Sequence, residues 1–251
     1  DRAKGNLMAR LFDDAALDRL EADVAAVTAF GFTVSGWFNA NDLGVTGTVF
    51  YLGDKDSANF HCHLKVAGAE AGDFLKASVR NTTSVDAVSS IAVTVNTLQH
   101  ALCTITSTDI TVYLDGGNSG TNTHALSPPT PDRTSIGRRG RSTPDSYFSG
   151  RLQEVGLWNV VLNAGEIAAL SKGYSPALVR PTALKGYWPI MGRNSPEIDL
   201  SNGGVNLTVT GTAQSAHRTM YRPTSAPSLK WTTAVAAAAG GKHLTLLGVG
   251  R

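Results

Sequence analysis

The sequence predicts an all-β chain folded as two stacked antiparallel sheets, and three observations carry that reading. The charged fraction is only 17%, against about 25% in an average soluble domain. The 26 glycines, together with abundant Thr and Ser, favour strands joined by tight turns over long helices. Apolar and polar residues alternate in short runs, and turn chemistry separates the runs at short spacing. At 251 residues and 42% hydrophobic, the chain is long enough to bury a substantial core as one large sandwich.

The elements follow in order. Residues 13–24 have the spacing of Ala, Leu and acidic residues that suits a helix. Residues 32–38 (FTVSGWF) alternate as the first clear strand, and 48–52 form an apolar strand ended by Gly53-Asp54. In residues 59–66, Phe60, Cys62, Leu64 and Val66 share one face, while His61, His63 and Lys65 share the other. Further strands are expected at 75–80, 91–95, 101–106 and 110–114, the last closed by the turn Asp115-Gly116-Gly117. Residues 147–158 supply one or two more. The run Ser127-Pro-Pro-Thr-Pro131 cannot be a central strand. Residues 163–172 read as one short helix, with Asn163 as N-cap, Glu166 as its capping-box partner and Gly173 as the stop. Strands at 184–190 and 205–210 come after Pro181. The tail, residues 222–251, carries Pro223 and Pro227, an Ala/Gly tract and an apolar Leu244-Thr-Leu-Leu247; it reads as an extended arm on a body spanning residues 1–221.

Three segments resemble LamG-like, concanavalin A-like jelly-roll domains: "ARLFDDAALDRLEADVAAVTAFGFTVSGWFNA" with its Phe-Asp pair before the strand, "LQHALCTITSTDITVYLDG" with its Tyr-x-Asp-Gly turn, and "FSGRLQEVGLWNVVLNAGEIAAL". Where the family often has Trp, this chain has Leu98. "LKGYWPIMGRNSPEIDLSNGGVNLTVTGT" (184–212) resembles the piece that usually begins such domains, yet here it comes last. The resemblance therefore implies a circularly permuted jelly roll that 184–212 completes, a truncated second repeat being the rival. Chain ends that lie close in space make a permutation tolerable. The stretch around "YSPALVRPTALKGYWPI" also resembles LamG-like proteins of tailed phages and prophages.

Few residues suggest chemistry. No strand carries the paired carboxylates of a glycosidase, and no nucleophile elbow, metalloprotease helix or phosphate loop appears, so an enzyme is not expected. His61 and His63 could together reach at most one ion, short of the ligands zinc needs. Asp54 and Asp56, like Glu197 and Asp199, lie in loops of the sort that bind Ca²⁺ at the rim of LamG-like domains, but Lys55 between the first two makes a poor calcium site. No other cofactor is expected. Cys62 and Cys103 read as two buried thiols, with a bridge between them as the alternative. Trp37, Trp158 and Trp188 read as core.

The net charge of +2 gives no reason to expect nucleic acid. The apolar run at 234–239 is too short to cross a bilayer, and the N-terminal residues do not resemble a signal peptide. Arg138, Arg139 and Arg141 form the densest basic cluster and could grip an anionic partner. With Trp231, Leu244, Leu246 and Leu247 of the tail, they are the expected partner contacts. The functional expectation is a virion structural protein on the capsid exterior. It would decorate or cement the capsid as a homo-oligomer, a trimer by analogy, against the major capsid protein. The alternative is a lectin-like module that binds a surface glycan.

Overall fold

The computed structural model describes residues 8–68, 72–192 and 195–216. In chain order the elements are β1 (Met8–Phe12), β2 (Arg19–Ala22), β3 (Phe32–Ala40), β4 (Thr46–Gly53), β5 (Phe60–Ala67), β6 (Phe74–Asn81), β7 (Thr83–Ala92), β8 (Gln99–Ile105), β9 (Asp109–Leu114), β10 (Gly117–Thr123), β11 (Arg133–Ile136), β12 (Gly150–Trp158), α1 (Ala164–Ser171), β13 (Leu184–Trp188), β14 (Thr208–Thr210) and β15 (Ala213–Ala216). Among the described residues they build two antiparallel sheets. One runs β10-β9-β8-β3-β12-β1-β15, with β13 also on β12; the other runs β14-β2-β11-β4-β5-β6-β7. This is an all-β jelly-roll sandwich with one short helix. Between the layers lies a core that includes Phe32, Phe38, Phe50, Leu64, Leu152 and Trp188.

The residues after Pro181 belong to both layers. β12 gives one edge to two strands in succession: its first half pairs with β1 (Arg10↔Leu152) and its second half with β13 (Val155↔Trp188). Between them the register shifts, and the buried Glu154, at φ +54°, accepts the Tyr187 hydroxyl on Oε2 at 2.6 Å. β14 then pairs with β2, and β15 with β1. Arg10 locks this seam: its guanidinium bonds Glu197 at 3.0 Å and Thr212 Oγ1 at 2.9 Å, with the ion pair almost wholly buried.

α1 forms where the capping box requires. Asn163 Oδ1 accepts from Glu166 N at 3.0 Å, and Glu166 Oε2 accepts from Asn163 N at 2.8 Å. Ile167 and Leu170 cover a second small core with Leu102, Trp158 and Leu162, on the outside of the eight-stranded sheet. Trp37, Trp158 and Trp188 are all buried. Cys62 and Cys103 are unbonded and buried; one comes from each sheet, and their sulfurs lie 3.6 Å apart.

Three expectations change. Residues 13–18 form a turn, and the helical spacing of 13–24 is not realised. Asp13 Oδ1 does accept from Ala15 N as a helix cap would. However, Leu17 enters the left-handed region at φ +61° and Asp18 N returns to Asp13 O, which ends the turn and starts β2. The strand expected at 91–95 lies earlier, at β7, where small polar residues hide the pairing. β10 and β11 carry too little apolar alternation to have been expected.

Candidate functional site

The three arginines of the basic cluster brace an arch of chain from Gly137 to Gly150, outside the seven-stranded sheet. Arg138 is nearly buried and pairs with Glu21 of β2. Arg139 and Arg141 both pair with Asp145. Burial acts to raise the Asp145 carboxyl, but the hydrogen bonds and charges of the two guanidiniums outweigh it and hold the group below the usual carboxylate range. Each of the three guanidiniums thus already has a carboxylate partner within the chain. Trp231, Leu244, Leu246 and Leu247 lie outside the described residues, as does the whole arm.

Glycine permits the arch to start. Gly137 has φ +85°, and a Cβ there would lie 2.5 Å from the Phe12 ring. Phe148 N returns to Gly137 O at 2.8 Å, and both Thr48 N and Thr48 Oγ1 donate to Ser146 O, at 3.0 and 2.8 Å. Because the Thr48 hydroxyl spends its one hydrogen there, His63 Nε2, 2.9 Å from Thr48 Oγ1, must be the donor in that bond. Burial, and then the charges of Lys65, Arg139 and Arg141, push the His63 pKa well below its ordinary value, so the ring is neutral at neutral pH.

The arch, the β1–β2 loop and the β3–β4 loop together frame an open cleft of about 340 Å³, lined by Asp14, Gly44, Val45, Thr46, Ser146 and Tyr147. Arg138 Nη1 donates to the Tyr147 hydroxyl at 3.3 Å, and Ser146 Oγ donates to Asp145 at 3.3 Å. The basic cluster therefore shapes the cleft wall. The half-buried Asp14 carboxylate has no hydrogen-bond or ion-pair partner among the described residues. An acceptor-only carboxylate, hydroxyls and an aromatic ring around one concavity suit a ligand with several hydroxyl donors and an apolar face. Sequence reasoning missed these residues because they come from three loops far apart in the chain. An aromatic side chain inside the polar run Asp145-Ser-Tyr147 was the one available signal.

The histidines and the rim acids turn out differently from their sequence readings. A register shift at the start of β5 breaks the expected alternation. Phe60 lies against Tyr51 and His63, at ring separations of 5.8 and 5.7 Å, whereas His61 stacks on Phe30 at 4.8 Å. The two histidines thus face apart, and both are buried. Asp54 and Asp56 meet Asp132, with a carboxylate oxygen of each within 4.8 Å of the others. Lys55 Nζ sits 2.8 Å from Asp132 and 3.5 Å from Asp56, and Asp132 also accepts from Lys55 N at 2.8 Å. Both Asp132 oxygens and the cationic position are therefore taken, and the group does not fit a calcium ion. Glu197 is held by Arg10, while Asp199 accepts from the backbone of Tyr187, Ser201 and Val205. No helix among the described residues is long and apolar enough to cross a membrane.

Comparison with known proteins gives the fold a family. Two solved structures share it over most of the chain. A putative carbohydrate binding protein from Bacteroides ovatus has a TM-score of 0.62 at 16% identity, over 86% of this chain and 61% of that one. The heptameric SAP-like pentraxin of Limulus polyphemus has a TM-score of 0.59 at 12% identity, over 84% of this chain and 95% of that one. The chain thus spans less than two thirds of the Bacteroides protein. No curated protein matches it. Residues 14–168, more than half of the chain, match Laminin_G_3 of the concanavalin A-like lectin/glucanases superfamily, and the protein belongs to that family.

Proposed function

We propose that the protein is a non-catalytic glycan-binding module, and that the cleft beneath the arch is its sugar site. The observation that carries this reading is the unpartnered Asp14 carboxylate beside Tyr147 in an open cleft of about 340 Å³. Sugars present hydroxyl pairs that a carboxylate can accept and C–H faces that rest on an aromatic ring. The family's superfamily of lectins and glucanases and the carbohydrate-binding description of the Bacteroides protein favour the same class. Against catalysis, glycoside hydrolysis needs two carboxyl groups across one bond. Asp14 is the one carboxylate among the cleft's lining residues, and the neighbouring Asp145 is held ionised between two guanidiniums.

A glycan array probed with the full chain tests this. Binding is expected, and Tyr147→Ala and Asp14→Asn should each weaken it about tenfold or more while leaving the melting temperature within a few degrees. No binding to any glycan, or binding unchanged in both variants, would overturn the reading.

Capsid decoration is a second proposal, carried by the phage-like sequence around residue 184 and by the tail. Removing residues 222–251 should abolish assembly with the capsid and leave the sandwich folded. Normal incorporation of the shortened chain would count against it.

A further inference from the structure

The opposite end of the sandwich carries a second cleft. β3 and β12 are paired from Ala40↔Gly150 to Thr33↔Trp158. The arch and its cleft lie beyond the first of these pairs. Beyond the second, roughly 25–30 Å away along the strands, a concavity of about 290 Å³ is lined by residues 26–30 together with Asn159 and Lys185.

Its polar groups are placed by backbone irregularities. The β12–β13 register shifts between Leu157 and Trp158, so that Trp158 faces Leu184, Leu157 faces Gly186, and Lys185 is left as the extra residue. A bulge of this kind re-aims a side chain out of the alternation of its strand. Asn159 is fixed beside it, since its N–H donates to Ala183 O at 3.0 Å. The third wall, residues 26–30, is pinned by Ala26 N donating to Thr134 Oγ1 at 3.1 Å and by the stacking of Phe30 on His61. The half-buried Lys185 ammonium has no hydrogen bond or ion pair among the described residues, and no acidic side chain lines the cleft. A cation held in a concavity without an anion is set for an anionic ligand group. The Asn159 amide and the Thr28 hydroxyl add neutral donors and acceptors. The two clefts therefore differ in sign, with Asp14 in one and Lys185 in the other.

We propose that this second cleft binds the carboxylate-bearing sugar of an acidic glycan, Lys185 Nζ pairing with the carboxylate and Asn159 and Thr28 meeting ring hydroxyls. The sugar half of this proposal rests on the glycan-binding reading; the charge half stands on Lys185 alone. A volume of about 290 Å³ is at the small end for ligand clefts and suits one sugar unit.

Calorimetric titration of the full chain with glucuronate, galacturonate and N-acetylneuraminate tests it, with glucose and acetate as controls. At least one acid sugar should bind, more weakly as salt rises, and more tightly than either control. Lys185→Gln should weaken that binding about tenfold or more. Asn159→Ala, at an exposed position, should weaken it severalfold. Three results would overturn the proposal: none of the three acids binds, glucose or acetate binds as well as the acids, or Lys185→Gln binds like the parent. If neutral glycans bind in a Tyr147-dependent way and the acids do not, this inference fails while the first reading stands. If no glycan binds at all, both fail.

Discussion

His63 shows how a single side chain reports its surroundings. It is sealed between Thr48, Tyr51 and Phe60, with Lys65, Arg139 and Arg141 adding positive charge around it. Its folded pKa lies well below the unfolded value of about 6.5, so as pH falls below about 6.5 only the unfolded chain takes up the proton. The stability is whole above that pH and is lost below it, at up to about 1.4 kcal/mol per pH unit for each such residue. His61, whose pKa burial also lowers, acts in the same direction. The melting temperature should therefore be level from pH 7 to 8 and fall from about pH 6.5 downward, before the carboxylates titrate. His63→Gln, which keeps a donor for Thr48, should flatten that fall. The thiols make a second residue-scale test. Burial pushes the Cys62 thiol far up, and Cys103 lies in the same core. A thiol reagent should label neither in the native protein and both in denaturant. The sequence made both cysteines legible as core because a small apolar-like residue on the inner face needs only the alternation to place it. It hid the histidines because one register shift in β5 moves His61 to the other side.

At the scale of elements, the strands easiest to read were those with a buried face of large side chains, such as β3, β8 and β12. β7, β10 and β11 escaped because edge position, small residues and cross-strand partners define them more than their own pattern does. α1 was legible to within a residue, since its capping box is written in four consecutive positions. The arch was not legible as an element at all. Its arginines stood out, but their partners Glu21 and Asp145 are assigned only by the fold. Gly137→Ala should cost about 1–3 kcal/mol, because it meets both a positive φ and the Phe12 ring; chemical denaturation would measure this. The Arg10–Glu197 pair tests the seam. Glu197→Gln removes the carboxylate charge paired with the buried Arg10 guanidinium, and a loss of about 3–5 kcal/mol is expected. A loss under 1 kcal/mol would mean that the pair does not hold β1 to the chain beyond β13.

At the scale of the whole molecule, the sandwich presents loops at two ends and closes its flanks. On one flank β7 and β10 approach until Asn122 Nδ2 reaches Asp86 O at 3.0 Å; on the other, β14 and β15 take the outer positions of the two sheets. The two clefts lie at those ends. The rim acids meet a tethered ammonium from Lys55, so calcium is not needed to neutralise them. Melting curves in millimolar CaCl₂ and in EDTA should superimpose; a calcium-dependent rise would show that the ion displaces Lys55. Sequence reasoning could find the acids of this rim but not Asp132, which enters from a loop 76 residues beyond Asp56.

The seam along β12 also governs how the chain acquires its shape in time. β2 has β11 on one edge, but its other edge is filled only when residues 208–210 are available, and β1, seated on β12, likewise waits for β15 on its other edge. Contacts so distant along the chain slow the search, which places folding in the millisecond-to-second range of β-rich domains or beyond. During synthesis on the ribosome, the first two strands must stay unpaired along one edge until almost all of the sandwich has been made. A nascent chain stopped near residue 175 should therefore be protease-sensitive at its front, and one extended past residue 216 with room to leave the exit tunnel should be resistant.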